Sequence, residues 1–320
     1  MPDDEDSLHQ PHDKLFKLGF SDPATAAAFL REQIPSRIST AIDWENLKLL
    51  PGTFIDPRFR AHESDLLFSA PLPECEVRIY LLFEHQTTED KAIALRLLRY
   101  MVSIWEKSPS GTPLPPILPV VLAQNDREWM MRPELGALFD LPDHLANDLN
   151  AFLPDFEFRL VQLAKIPFDA IQGTPSGVVV LRTLKAERSG KLLEPAVWDE
   201  PLLAQIPRAL FEAFVLYLSN ADIDNEAMGR NLRSIQAPEL RNTAMTFAQK
   251  LRQEGRQEGH QEGRLTTLRE IVLETLSLRF GDVPVGLGEA IRLITDDDKL
   301  RALQRSSVCC NSIEEFSKSL

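Results

Sequence analysis

Apolar positions recur along this chain with two different periods, and the change from one to the other separates its elements. Residues 13–20 carry Leu15, Phe16, Leu18 and Phe20, the pattern of a short amphipathic helix. Ser21-Asp22-Pro23 then reads as a second helix start, a capping side chain followed by Pro in the first turn, and that helix continues over 24–33 until Pro35. Residues 47–55 include a strand interrupted by Pro51-Gly52. Runs at 65–70 and 77–84 predict a hairpin across Pro71-Leu72-Pro73-Glu74. In its second strand Val77, Ile79, Leu81 and Phe83 face one way, while Arg78, Tyr80, Leu82 and Glu84 face the other. Helical spacing returns over 90–106, where Ile93, Leu97, Met101 and Ile104 form a stripe that Leu98 and Tyr100 widen. The continuous apolar run 117–122, bounded by prolines, predicts a buried strand beside that helix. The order helix, three strands, helix, strand makes the first half α/β.

The second half is mostly helical. Residues 156–163 suit an edge strand; 178–188 and 201–219 suit helices, the latter with Leu203, Ile206, Leu210, Phe214 and Leu218 as a stripe packed on the first half as a cap. Residues 252–264 repeat Gln-Glu-Gly with Gly at every fourth position: 255, 259 and 263. Each glycine costs a helix roughly 1 kcal/mol relative to Ala, yet the flanks are strong helix formers, so a polar helical linker is the leading reading over an extended one. A close helix–helix contact through the small-residue face is the sharper alternative. Beyond it, 265–280 is amphipathic with Gly281 as a stop, and 285–293 and 297–308 read as two short helices, the last capped by Asp296 or Asp297. This module suits oligomerisation or partner contact rather than catalysis.

Composition narrows the function classes. A chain of 320 residues, 43% hydrophobic, can bury a substantial core. No stretch reaches the ~20 apolar residues that span a bilayer. The start, Met1-Pro2-Asp3-Asp4-Glu5-Asp6, is acidic where a signal peptide would be basic and then apolar. A cytoplasmic protein that avoids membranes is expected. The 3 cysteines (Cys75, Cys309, Cys310) and 6 scattered histidines offer neither a disulfide framework nor paired zinc-ligand spacing. A net charge of −13 argues against coating nucleic acid by bulk electrostatics. A local basic patch would draw on Arg58 and Arg60 before the first strand of the hairpin, and on Lys91, Arg96, Arg99 and Lys107 after the second. A solvated helix face explains these residues equally well.

The candidate chemistry lies in two acidic motifs at the ends of neighbouring apolar runs, Ser64-Asp65-Leu66-Leu67-Phe68 and Leu82-Phe83-Glu84-His85-Gln86. If the runs pair as strands, Asp65 and Glu84 can project into one cleft and bind a divalent cation, with Gln86 on the face of Glu84 to position a water. Mg²⁺ takes oxygen ligands and keeps several waters, one of which can attack a phosphodiester. Spacing alone leaves open the plainer reading, in which both acids are solvated strand ends.

Taken together, His12-Asp13-Lys14-Leu15-Phe16-Lys17, Phe54-Ile55-Asp56, the two acidic motifs with Thr87, and Arg96-Leu97-Leu98-Arg99-Tyr100-Met101 resemble, in this order, the Rpn or YhgA-like family of recombination-promoting nucleases and putative transposases, over about 11–122. The resemblance implies a restriction-endonuclease-like PD-(D/E)XK core, a mixed sheet flanked by helices, with a helical C-terminal extension. The implied division is a nuclease-like core at 11–165, a helical cap at 166–248, the repeat linker at 249–264 and a small helical module at 265–320 through which homo-oligomers form. It implies a Mg²⁺-dependent DNA endonuclease, Mn²⁺ substituting, with Asp65 and Glu84 as metal ligands, Gln86 where many relatives of the wider fold place Lys, and Asp13 of the first helix adding to the site. An amide orients water but brings no positive charge to the transition state. The loop Ala123-Gln124-Asn125-Asp126-Arg127-Glu128-Trp129 also departs from the family's Tyr-His-Gly-like pattern, though Trp129 fits. Two expectations follow: an active nuclease, or a catalytically weak or inactive DNA- or protein-binding module on the same fold.

Overall fold

The structure, a computed structural model, describes residues 11–51, 66–73, 75–84, 89–142 and 144–320, with backbone alone at 11, 80–84, 251, 254 and 258. The chain divides into two compact units, Met1–Phe247 and Ala248–Leu320.

In the first unit, α1 (Pro11–Phe20), α2 (Pro23–Gln33) and the short α3 (Ser36–Ser39) lead into the strands β1 (Lys48–Leu49), β2 (Leu66–Pro71) and β3 (Glu76–Glu84). Helix α4 (Ile93–Glu106) crosses to β4 (Ile117–Ala123), and β5 (Arg159–Gln162) follows the short α5 (Ala146–Asn150). Helices α6 (Pro175–Arg188), α7 (Glu200–Leu203), α8 (Arg208–Asn220) and α9 (Asn225–Ser234) complete it. The strands form one sheet in the order β1-β2-β3-β4-β5. β1, β2 and β3 pair antiparallel, while β3, β4 and β5 pair parallel.

The period-two pattern buries both faces of this sheet. Leu66, Phe68 and Ala70 of β2, Val77 and Ile79 of β3, and Val120 and Leu122 of β4 enter the larger core, with Phe16 and Phe20 of α1, Val180 of α6 and Phe214 of α8. The alternate positions Leu67, Val121 and Ala123 enter the smaller core, closed by Ile93, Leu97, Tyr100, Met101 and Ile104 of α4. Gly19 permits the close approach of α1 to α6: a Cβ there would lie 2.6 Å from Cγ2 of Val180.

Helix starts follow the capping pattern. An Asp22 carboxylate oxygen accepts the Thr25 N–H (3.0 Å) and hydroxyl (2.8 Å). The Thr25 hydroxyl also lies 2.8 Å from that of Thr174, which caps α6 by accepting the Gly177 N–H at 3.2 Å. One network thus serves two helix N-termini distant in sequence. Asp22→Ala is expected to lower stability by about 1–2 kcal/mol, and Asp22→Asn to recover most of it, read from urea midpoints.

Some elements differ from the pattern's expectation. The run 201–219 is split into α7 and α8, because Pro207 lacks an N–H and holds extended backbone (ψ 144°) ahead of α8. The helix expected from 90 begins at Ile93, since the Asp90 side chain accepts the Ala92 N–H at 2.8 Å and holds a turn there. Of the strand within 47–55 only Lys48–Leu49 is paired, and 52–65 lie outside the described residues.

Helix α10 (Pro238–Phe280) is continuous over 43 residues, and its residues fall in both units. The glycine repeat is therefore helical rather than extended. Among the described residues no atom lies within 4 Å of a Cβ placed at Gly255, Gly259 or Gly263, so none of them makes a close contact through that face. Gly281 ends α10 with φ +84°, a left-handed conformation that suits glycine. The second unit continues with α11 (Val285–Arg292), α12 (Asp297–Cys309) and α13 (Ile313–Ser317). Asp296 caps α12 by accepting the Lys299 N–H. Val272, Leu276, Ile291, Leu300, Leu303 and Phe316 make its core. None of the described helices is long and apolar enough to cross a membrane.

Candidate functional site

The hairpin register pairs the described parts of the two acidic motifs' strands. Leu66, the first residue of β2, pairs with Leu81 of β3, and Glu84 ends β3 opposite Ala123, the last residue of β4. Asp65 is bonded directly to Leu66. Asp65, His85 and Gln86 themselves lie outside the described residues, as do Arg58 and Arg60, and Glu84 is described in its backbone alone.

Immediately past Ala123 the chain enters a buried polar cluster. Gln124 is fully buried, and its Nε2 donates toward the Leu184 carbonyl (2.9 Å), Oε2 of Glu187 (3.1 Å) and Oη of Tyr217 (3.3 Å). These acceptors fix the orientation of the amide. Its Oε1 is buried without a hydrogen-bond partner among the described residues. The Tyr217 hydroxyl lies 2.8 Å from Nδ1 of His12, and the two rings meet edge-on at 5.0 Å and 88°. His12 precedes Asp13 in the first turn of α1, and Asp13 is 3% exposed. Burial, followed by the charge of Glu187, pushes the Tyr217 hydroxyl well above the ordinary tyrosine range, so it stays protonated. The start of α1 is thereby joined to the residue after β4, the strand whose last residue, Ala123, pairs with Glu84.

The loop that departs from the family pattern is held by amides. Oε1 of Gln162, on β5, accepts from Asn125 Nδ2 (2.8 Å) and from the Trp129 N–H (2.7 Å), while its Nε2 donates to the Trp129 carbonyl (3.1 Å). Asn125 also donates to the Arg127 carbonyl at 2.7 Å. The Trp129 side chain is buried in the smaller core. Gln124 and Asn125 thus donate to protein partners, and the loop that departs from the pattern is held by structural hydrogen bonds.

Nearby cations are similarly engaged. Lys185 donates to the carbonyls of Leu163 (2.8 Å) and Ala164 (3.2 Å), and burial lowers its pKa from the usual lysine range. Arg188 pairs with Glu187 at 3.2 Å and Arg96 with Asp90 at 3.3 Å. Among the described residues no cluster of three or more His, Cys, Asp or Glu side chains forms a metal cage. Sequence reasoning placed Asp13 on the first helix but missed Tyr217 and Glu187, which read there only as members of amphipathic helices. Gln124 was legible as a polar residue directly after a buried strand, a signal too common to single it out.

Comparison with known proteins follows the same stretch of chain. A family model described as "Putative transposase, YhgA-like" matches residues 10–198. Recombination-promoting nuclease RpnD of Escherichia coli O157:H7 is 31% identical over 164 residues, 50% of this chain and 62% of the relative. Recombination-promoting nuclease RpnA of Escherichia coli K12 is 42% identical over 93 residues, 29% of this chain and 32% of the relative. The inactive recombination-promoting nuclease-like protein RpnE of the same strain is 28% identical over 311 residues, 88% of this chain and 98% of the relative. The chain therefore spans less than two thirds of RpnD and about a third of RpnA. No solved structure matches it. With more than half its length covered by that one model and recombination-promoting nucleases among its relatives, the chain belongs to the Rpn, or YhgA-like putative transposase, family.

Proposed function

We propose that this chain is a metal-dependent DNA endonuclease on a PD-(D/E)XK core, with Asp65 and Glu84 as Mg²⁺ ligands, Gln86 as the group that orients a water, and Asp13 as a further carboxylate of the site. The observation that carries the reading is the pairing of the strands next to these residues. Leu66, which follows Asp65 in the chain, pairs with Leu81 three residues before Glu84, and the hydrogen bonds of Tyr217 to Gln124 and His12 link the residue before Asp13 to the residue after β4. The antiparallel-then-parallel sheet with α4 between β3 and β4 agrees with such a core. The donor set fits Mg²⁺, or Mn²⁺ in its place, because it consists of hard carboxylate oxygens.

Mg²⁺, when bound, would polarise the scissile phosphate and make a coordinated water more acidic. The chain's own part is to hold its carboxylates ionised at the strand ends and to present the Gln86 amide to a water. It also keeps Asp13 buried, 3% exposed. Gln86 offers no positive charge, so slow or conditional cleavage is expected. The second reading, a DNA- or protein-binding module with little chemistry, is favoured by the name of RpnE, which overlaps 88% of this chain and is called inactive.

Purified full-length chain should be incubated with supercoiled and linear DNA in Mg²⁺, Mn²⁺, Ca²⁺ or EDTA. Cleavage in Mg²⁺ or Mn²⁺ that EDTA stops is the expected result. DNA binding without cleavage in any metal would overturn the nuclease and favour the binding module.

A further inference from the structure

We infer that Tyr217 is a positioning residue, whose hydroxyl ties the first turn of α1, and with it Asp13, to Gln124 at the end of β4. The catalytic consequence rests on the nuclease reading; the tether itself does not. Tyr217 lies on α8, outside the stretch 10–198 that the family model matches, and is 2% exposed. Its hydroxyl lies between Gln124 and His12, 3.3 Å from Nε2 of Gln124 and 2.8 Å from Nδ1 of His12.

The direction of the hydrogen bonds follows from the partners. Gln124 Nε2 is a donor only and shares its two N–H groups among Leu184, Glu187 and Tyr217, so Tyr217 accepts from it and directs its own proton to Nδ1 of His12, which leaves the His12 proton on Nε2. Gln124 is itself anchored by the Leu184 carbonyl and Glu187 of α6. The tether therefore ends on rigid elements at one side and on the residue next to Asp13 at the other. Rotation of the first turn of α1 would break the His12 bond, and the same rotation would displace Asp13, the next residue of the helix. Such an arrangement holds a site group through packing and hydrogen bonds made by its neighbours.

Tyr217→Phe keeps the ring, its burial and its edge contact with His12, and removes only the link. His12→Asn places an amide oxygen near the position of Nδ1 and can accept the Tyr217 proton, whereas His12→Ala cannot. The experiment compares these variants of the full chain by hydrogen exchange without DNA and by steady-state DNA cleavage. In Tyr217→Phe and His12→Ala the amides of Leu15 and Phe16, which helix geometry bonds to the first-turn carbonyls, are expected to exchange roughly 3- to 10-fold faster. Exchange in α4 should not change. The value of kcat is expected to fall about tenfold, with KM for DNA unchanged, and His12→Asn to restore both. Wild-type exchange in α1 of Tyr217→Phe would overturn the tether, and faster exchange with unchanged kcat would overturn the positioning role. A wild-type chain that cuts no DNA would overturn the nuclease reading, and the catalytic role with it, while exchange in α1 would still decide the tether.

Discussion

Glu84→Gln is expected to lower DNA cleavage by about 10³-fold or more, with the fold unchanged. The amide matches the carboxylate in shape but removes the charge that would hold a divalent cation, and a bound metal contributes several kcal/mol of transition-state stabilisation. At 1.36 kcal/mol per decade, about 4 kcal/mol corresponds to three decades of rate. Asp65→Asn should act similarly, if Asp65 is the second ligand that the proposed function assigns. Cleavage rates with Mg²⁺ and Mn²⁺, beside circular dichroism and urea unfolding, make the check. Wild-type rates in both variants would move the metal ligands away from these residues.

Phe214→Ala is expected to be the most destabilising of the substitutions considered, by about 3–5 kcal/mol. Phe214 is fully buried on α8 and lies in the larger core. Trp198 meets it edge-on at 5.6 Å and Phe211 stacks at 6.1 Å. The surrounding partners come from several elements, so the site cannot collapse by one side chain turning in, and the cavity persists. A loss of this size is a large fraction of the 5–15 kcal/mol by which domains are stable. The urea midpoint of the first unit should fall strongly; a shift below about 1 kcal/mol would mean that the core relaxes to fill the gap.

Local rules made much of the fold legible. Alternation over 77–84 and the Pro-rich turn predicted the hairpin, and the Asp22-Pro23 pair predicted the start of α2 together with its cap. The stripe at Ile93, Leu97, Met101 and Ile104 predicted the helix that covers the smaller core. Pro207 could have been read as a break; the continuous apolar stripe from Leu203 to Leu218 outweighed it, because packing places both sides of the break in one core. The polar cluster was not legible for a different reason. His12 and Tyr217 are 205 residues apart, and Gln124 and Tyr217 are 93 apart. No periodicity links such positions, since their meeting depends on how α8 docks against α1. Asp65, Glu84 and Gln86 carried a chemical signal in their own neighbourhood and could be named; the residues that aim a site from a distance carry none.

The family model and the folded unit have different boundaries in this chain. The stretch that the model matches ends at residue 198, but Leu210, Phe211, Phe214 and Leu218 of α8 and Met228 and Leu232 of α9 belong to the same core as the sheet, and the compact unit runs to Phe247. A fragment cut where that model stops would leave Phe16 and Phe20 without much of their apolar cover. For expression or crystallisation of the first unit alone, the place to cut is set by where its interior closes, well downstream of residue 198.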